Sequence, residues 1–529
     1  MLGGELVSHL LSVVLLTVLI APLVLWRYRR AVLAGMQGKT GADLPMAPVV
    51  PRTPAAPATT DAVEARLAWE RRTRRRVFAA SLLAAAVPSL VLAAQRLLMG
   101  DQPTTPAHLW IMAGAGCSVA VPVFAVLTAT PLRRALPLWI GTLVALSASG
   151  VLLSMLQRPF YGKVPSLDQL MNFVLFFQLV GVSLWVPMLM GLATGARRVR
   201  GVAPLTFAGL LVFGLAPLLG RQVTRWLGST ETGSAWLLTG AGLETGFVLV
   251  ALPFGLLAWQ RLKALARAYE RKRFSDAQLL ARTWWLLIVA GQAVELVSVY
   301  PGIGPLCSIL AVSALAYLMF PPLLVWGLRR AFASETRPAP RTLLLLRVFG
   351  DTARTEALFD RVALRWQLFG PVTMIAAPDV AARTVDPGDF LRFALGNIGA
   401  TFVNSQADLD QRMATLDKAP DPDGRYRLSE FCCRDSTWQA TVAALMQDAD
   451  AVVMDLRGFT AKRMGCEFEL RQLAQRMRAD QVVLVVDGTT DRALLEGYLG
   501  AGDARMRTIE ITRAGGADAA FDALLRAAA

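Results

Sequence analysis

Residues 454–473 read MDLRGFTAKRMGCEFELRQL. The apolar run Ala451 to Met454 ends in Asp455, a loop containing Gly458 follows, and a helix opens with Gly465-Cys466-Glu467-Phe468-Glu469-Leu470. A buried strand that delivers an acid at its end, then a loop, then an amphipathic helix is the repeating unit of a parallel α/β sheet.

The same unit recurs on both sides. Apolar runs of strand length occur at Leu343 to Val348, Val372 to Ala376, Ala451 to Met454, Val482 to Val486 and Thr508 to Ile511. Helical periodicity falls at 353–368, 388–397, 436–447, 464–478 and 518–527. Continuous apolar strands alternating with helices predict a parallel sheet covered on both faces, here a five-stranded, flavodoxin-like sheet of order 2-1-3-4-5 over residues 341–529. The stretch DPDGRYRLSEFCC (421–433), between the second and third strands, reads as a turn and an extra strand.

Upstream the chain changes character. The 529 residues are 54% hydrophobic, and the excess lies in residues 1–335. About nine apolar runs there are long enough to cross a bilayer as helices: 6–26, 77–99, 108–130, 136–157, 169–193, 203–220, 235–259, 283–300 and 306–328. Arginine clusters fall on alternate connections, at 27–30, 71–76, 133–134, 197–200, 261–273 and 329–330. Only Arg96, Arg158, Lys163, Arg221 and Arg225 fall on the others. This bias places the N-terminus outside and the C-terminal domain in the cytoplasm. The first run lacks a basic leader and is followed by RYRR, which fits a retained anchor better than a cleaved signal. Residues 38–60, rich in Pro, Ala and Thr, read as a disordered cytoplasmic linker, and 261–282 as an amphipathic cytoplasmic helix.

The net charge of +15 is topological. Residues 341–529 hold 23 Lys and Arg against 26 Asp and Glu, so the basic excess belongs to the membrane part and no nucleic-acid footprint is present. The expected partner is therefore the lipid bilayer. Its Ala/Arg/Leu-rich composition suggests a bacterial inner membrane. Five cysteines without C-x-x-C spacing, three of them cytoplasmic, are expected to remain thiols.

In a doubly wound sheet the binding crevice lies beyond the carboxyl ends of the strands. Those ends supply Arg347, Phe349 and Asp351, then Asp455, Arg457 and Phe459, then Asp487. The soluble part contains no histidine, because His9 and His108 both lie upstream. That excludes Ser-His-Asp and Cys-His catalysis and His-bearing zinc sites. No phosphate loop, G-x-S-x-G or G-x-G-x-x-G follows a strand. A phospho-accepting receiver would need an acidic pair after the first strand and a lysine after the fifth; Asp351 and Arg513 stand there instead. Carboxylates remain as the catalytic candidates. Glu467 lies four residues before Arg471 and reads as a surface ion pair, whereas Glu469 borders the buried stripe on the other side.

The opening LLLLRVFGDTARTEALFDRVALRW (343–366) and the stretch 466–470, Cys-Glu-Phe-Glu-Leu, resemble the first strand and helix and the C-x-x-E-L helix of TIR (Toll and interleukin receptor homology) domains. The resemblance covers about 342–515 and implies a catalytic Glu469 in a fold whose enzymatic members cleave NAD and whose other members work as assembly modules. NAD is then a substrate rather than a resident cofactor. Arg347 or Arg457 would hold the pyrophosphate, while Phe349, Phe459 or Trp438 would stack on adenine. The roughly seventy residues between Pro378 and Asp450 exceed the family's pattern.

Three functions follow as expectations: a membrane-anchored signalling or defence protein whose soluble part binds and hydrolyses NAD or a related nucleotide, a non-enzymatic nucleotide- or protein-binding signalling module, or a channel or transporter regulated by the soluble part. Self-association through the soluble part is a further expected partner interaction. Glu244 and Glu295, carboxylates within apolar runs, are the residues the third reading turns on.

Overall fold

A computed structural model of the chain describes, apart from short gaps, residues 26–49, 60–157, 253–333, 337–376 and 390–528. It divides into two compact units, one of Met1–Leu25 with Arg75–Ala331 and one of Trp26–Arg74 with Phe332–Ala529.

The described part of the first unit is helical. Its elements are the later part of α1 (Thr60–Met99), α2 (Pro106–Cys117), α3 (Ala120–Leu127), α4 (Leu132–Gln157), α5 (Asp276–Val299) and most of α6 (Ile303–Phe332). Three helices among the described residues are long and apolar enough to cross a membrane: Asp61–Met99, Arg133–Leu153 and Ile303–Phe332. They correspond to the expected spans at 77–99, 136–157 and 306–328. The nine expected spans are not supported as a set. The run at 108–130 forms α2, ending at Cys117, and α3, beginning at Ala120, neither long enough to cross. The run at 283–300 belongs to α5, which is not among the three. Those at 6–26, 169–193, 203–220 and 235–259 lie wholly or mostly outside the described residues.

Small residues set the packing of this unit. A Cβ on Gly327 of α6 would fall 2.7 Å from the Ala80 Cβ of α1, and one on Gly116 of α2 would fall 2.2 Å from Ser89 Oγ. Such close approach is the usual basis of helix association where lipid removes the hydrophobic drive. Side-chain amides add to it: Gln292 Nε2 donates to Leu92 O at 2.8 Å, and Gln95 Nε2 to Ser308 O at 3.3 Å. The helix expected across 261–282 is broken. Lys272 adopts φ 53°, and Ser275 caps α5 through a reciprocal box with Gln278. The Ser-x-x-Gln spacing is the local signal that starts a new helix there.

The second unit is built on a seven-stranded, wholly parallel sheet of order β3-β4-β2-β1-β5-β6-β7. The strands are β1 (Leu343–Arg347), β2 (Val372–Ala376), β3 (Phe402–Val403), β4 (Leu428–Cys433), β5 (Ala451–Asp455), β6 (Val482–Val486) and β7 (Arg507–Glu510). The five expected strands keep their expected order, and the long insertion adds β4 and β3 outside β2, so the sheet has seven strands rather than five. Helices α7 (Thr352–Trp366), α8 (Gln406–Ala414), α9 (Trp438–Asp448), α10 (Met464–Arg476), α11 (Arg492–Leu499) and α12 (Gly516–Ala528) complete it.

Strand order dictates where the helices go. The step from β1 to β2 runs one way along the sheet, whereas β3 to β4, β4 to β5, β5 to β6 and β6 to β7 run the other way. Right-handed crossovers therefore put α7 on one face and α8 to α11 on the opposite face. Contacts agree, with α8, α9, α10 and α11 packed in sequence and α12 beside α7. The four-helix face buries Leu344, Leu346, Val452, Met454, Leu470 and Leu484 in one core cluster.

The two-helix face is completed from a distance in sequence. Trp366 and Phe369 pack on Phe521 of α12, with ring centroids 6.2 and 5.9 Å apart. Trp69 of α1, 1% exposed, closes on Phe369 at 5.7 Å and on Phe332 at 6.2 Å. Residues 26–36 are helical; Tyr28 packs edge-on against Phe393 at 5.4 Å, and a Cβ on Gly35 would fall 2.4 Å from the Phe402 ring of edge strand β3. Of the stretch expected to be a disordered linker, Leu44 N donates to Ser436 O at 3.3 Å and Arg476 Nη1 to Pro48 O at 3.3 Å.

Gly424 turns the chain into β4 with φ +78°, and a Cβ there would lie 2.3 Å from the Phe332 ring. Gly424→Ala is expected to lower the stability of this unit by about 1–3 kcal/mol through backbone strain, with a similar cost from overpacking. Denaturant unfolding of the full chain in detergent, followed by tryptophan fluorescence, measures the loss.

Candidate functional site

The strand order reverses between β1 and β5: β1 leads to β2 on one side and the chain later returns to β5 on the other. This is the topological switch point at which doubly wound sheets bind ligands. Arg347 and Asp455 end the two strands there and are direct partners in the sheet register. Both are buried, at 4% and 1% exposure.

Asp455 is already engaged. Arg457 donates to it from Nε at 2.8 Å, from Nη2 at 2.7 Å and from its backbone N at 3.2 Å. The two form a neutral, mostly buried pair, so an anionic ligand must compete with Asp455 for Arg457. Phe459 does not stack on an open crevice. Its ring is 1% exposed, belongs to the core cluster and packs on Tyr498 at 6.4 Å. Trp438 remains half-buried and meets Phe468 edge-on at 5.1 Å.

Asp487 organises the loop after β6. Its Oδ1 accepts from Thr489 N at 2.9 Å and Thr489 Oγ1 at 2.5 Å, and Thr489 Oγ1 accepts from Gly458 N at 3.0 Å. Thr490 Oγ1 donates to Leu456 O at 2.9 Å. The loops after β5 and β6 are thereby laced together, with Gly458 at φ +74° making the turn that exposes its N–H. Phe349 and Asp351 lie outside the described residues.

Helix α10 carries the two glutamates with different fates. Glu467 pairs with Arg471 at 2.6 Å on the surface, as its spacing implies. Glu469 is 2% exposed, and its Oε2 has no hydrogen-bond partner among the described residues. Arg476, the basic residue nearest to it on the helix surface by spacing, bonds instead to Gln472 at 2.6 Å. Burial pushes the Glu469 carboxyl up to about 8, while the charge of Arg347 pulls the other way. Cys466, one turn earlier, is buried with its Sγ 4.0 Å from Arg347 O. The switch point thus gathers Arg347, Asp455, Arg457, Cys466 and Glu469, and it leaves one buried carboxyl oxygen unsatisfied. Buried polar groups are normally hydrogen-bonded, and protonation of the carboxyl, which burial favours, lowers the cost of leaving this oxygen without a partner.

Cys432 and Cys433 are buried and form no disulfide, and burial raises the Cys433 thiol to about 11. Glu244 and the side chain of Glu295 lie outside the described residues, and among the described residues no cluster of His, Cys, Asp and Glu could hold a metal ion. Sequence reasoning missed Glu70, whose buried ion pair is described below; its signal was an acid inside a run of arginines.

Compared with known proteins, the chain matches no family model, and no curated protein or solved structure shows significant similarity to it.

Because folding raises the Glu469 carboxyl above its ordinary value of 4.5, its effect on stability has a definite sign. The neutral acid is favoured in the fold, so stability is full below about 4.5 and declines as pH rises towards 8. The decline is on the order of 1.4 kcal/mol for each pH unit. Glu469→Gln is expected to remove this slope, matching the wild type at pH 5 and exceeding its stability at pH 9, as read from denaturant midpoints across that range.

Proposed function

We propose that the protein is a membrane-attached signalling or defence module whose α/β unit binds NAD or a related nucleotide at the β1/β5 switch point and cleaves it through Glu469. The observation that carries the reading is the buried carboxyl of Glu469, unpaired at Oε2, beside Arg347 at that crevice. The TIR-like resemblance of Cys466 to Leu470 supports the same residue, as does the 2-1-3-4-5 order of the strands β2, β1, β5, β6 and β7. In this reading the span-bearing part sits in a bacterial inner membrane, with the α/β unit on the cytoplasmic side where the arginine-rich connections fall.

The chemistry requires one carboxylate. The bond between nicotinamide nitrogen and ribose C1′ breaks with its electron pair passing to the ring, so nicotinamide leaves neutral. The ribose passes through an oxocarbenium-like state that a carboxylate stabilises, as in glycoside hydrolysis. A water oxygen then bonds to C1′, and its proton is released to solvent. Glu469 is neutral in the empty site at pH 7, and the positive nicotinamide ring favours its ionised form.

A second reading has an observation of its own. Glu469 is 2% exposed and Arg457 is neutralised by Asp455, which suits a module that binds a nucleotide without turnover.

Incubating the full-length protein in detergent with NAD and following nicotinamide separates the two. At NAD well below saturation, where the free protein's groups govern the rate, release is expected to rise with pH to a plateau above about 8, in step with the Glu469 carboxyl, and to vanish in Glu469→Gln. Nucleotide binding without release at any pH would overturn the hydrolase and leave the binding module.

A further inference from the structure

Helix α1 begins at Thr60, ahead of the apolar stretch, and its first part belongs to the α/β unit. There Glu70, 3% exposed, accepts from Arg365 through both arms of the guanidinium, Nε to Oε1 and Nη2 to Oε2, each at 3.0 Å. Arg74 donates to the same carboxylate from Nε at 3.0 Å and Nη2 at 2.9 Å. Arg365 also lies 3.9 Å over the Phe521 ring of α12 and 3.7 Å from Asp518. One residue away, the fully buried Trp69 wedges between Phe332 and Phe369.

Neither the fold of the sheet nor the chemistry at the switch point uses this carboxylate. A buried, two-armed ion pair is a weak source of stability, because desolvating the charges offsets their attraction, and its best-attested role is to fix one arrangement of elements against another. The elements fixed here are informative. Arg365 is the penultimate residue of α7, and α7 begins at Thr352, shortly after Arg347 ends β1. The 15 residues of α7 span about 22 Å, so one end meets Glu70 and the other adjoins the switch point. Beyond Arg74 the helix α1 continues without a break in its assignment to Met99, through the stretch apolar enough to cross a membrane.

We propose that residues 60–74 are the regulatory strut of the crevice: a shift or rotation of α1 is passed by the Glu70–Arg365 pair to α7, and by α7 to the end of β1 beside Glu469. The Glu70–Arg365 contact is seen in the structure; that it regulates nucleotide cleavage rests on the function proposed above.

The test uses full-length protein in lipid nanodiscs and reads amide hydrogen exchange by peptide. Glu70→Gln keeps the shape of the side chain and removes its charge. Arg365→Lys, a milder change, keeps the charge and removes the two-armed fit. Either is expected to raise exchange at least tenfold in residues 60–74 and also in 352–366, while α8 to α11 on the opposite face stay unchanged. Faster exchange confined to 60–74 in both variants would overturn the proposal, since the pair would then hold the helix without coupling it to α7. Unchanged exchange everywhere would overturn it as well. Nicotinamide release from the same samples is read in parallel. Coupled exchange with no release from any form would sustain the strut and reject the nucleotide reading.

Discussion

In a parallel sheet every connection must cross from the carboxyl edge back to the amino edge, so each crossover helix runs antiparallel to the strands. That constraint places the start of α7 at the crevice and its end at the opposite edge, where Arg365 meets Glu70. It also shares the helices unevenly. With β3 and β4 inserted outside β2, four connections run one way along the sheet and two, β1 to β2 and β2 to β3, run the other; among the described residues α12 packs beside α7. The thinner face would leave Trp366, Phe369 and Phe521 partly in water. Residues from before the membrane-crossing stretch fill the shortfall, Trp69 against the aromatic cluster and Tyr28 and Gly35 near β3. The covered edge strand is protected from pairing with another chain.

The α/β unit is thus assembled from two separated pieces of chain, Trp26–Arg74 and Phe332–Ala529. A fragment starting at residue 341 would lose Trp69, Glu70 and the Leu44–Ser436 contact together. Its aromatic face would be open and Arg365 would keep only Asp518 as an acidic partner among those seen here.

Local chemistry explains which features could be read in the sequence. Val372–Ala376 and Val482–Val486 are short, continuous apolar runs, and they form strands over those residues. The Leu-Ser-Glu-Phe-Cys-Cys run behind a Pro/Gly turn gave the extra strand β4. Its neighbour β3 has two residues, too short for any pattern, and α11 follows its strand within one brief amphipathic turn pattern. Apolar content alone also does not register that the run at 108–130 forms two short helices, one ending at Cys117 and the next beginning at Ala120. At the site, the i,i+4 spacing separated Glu467 from Glu469, because a helix fixes which neighbours a side chain can reach. Loop residues carry no such periodicity. Arg457 folding back on Asp455 and Phe459 turning into the core depend on the sheet edge and on Tyr498, which no local pattern encodes.

The electrostatics of the switch point follow from those same contacts. With Asp455 and Arg457 cancelling one another, the charge that governs Glu469 is that of Arg347, and it is not enough to overcome burial. The empty site therefore holds its acid neutral, with one oxygen unsatisfied. A second positive charge arriving in the crevice would change that balance, since it favours the ionised form while excluding the water that burial has already largely removed. A neutral ligand of the same shape would not. Burial and the charge of Arg347 thus act in opposite directions on this acid, and burial is the larger of the two.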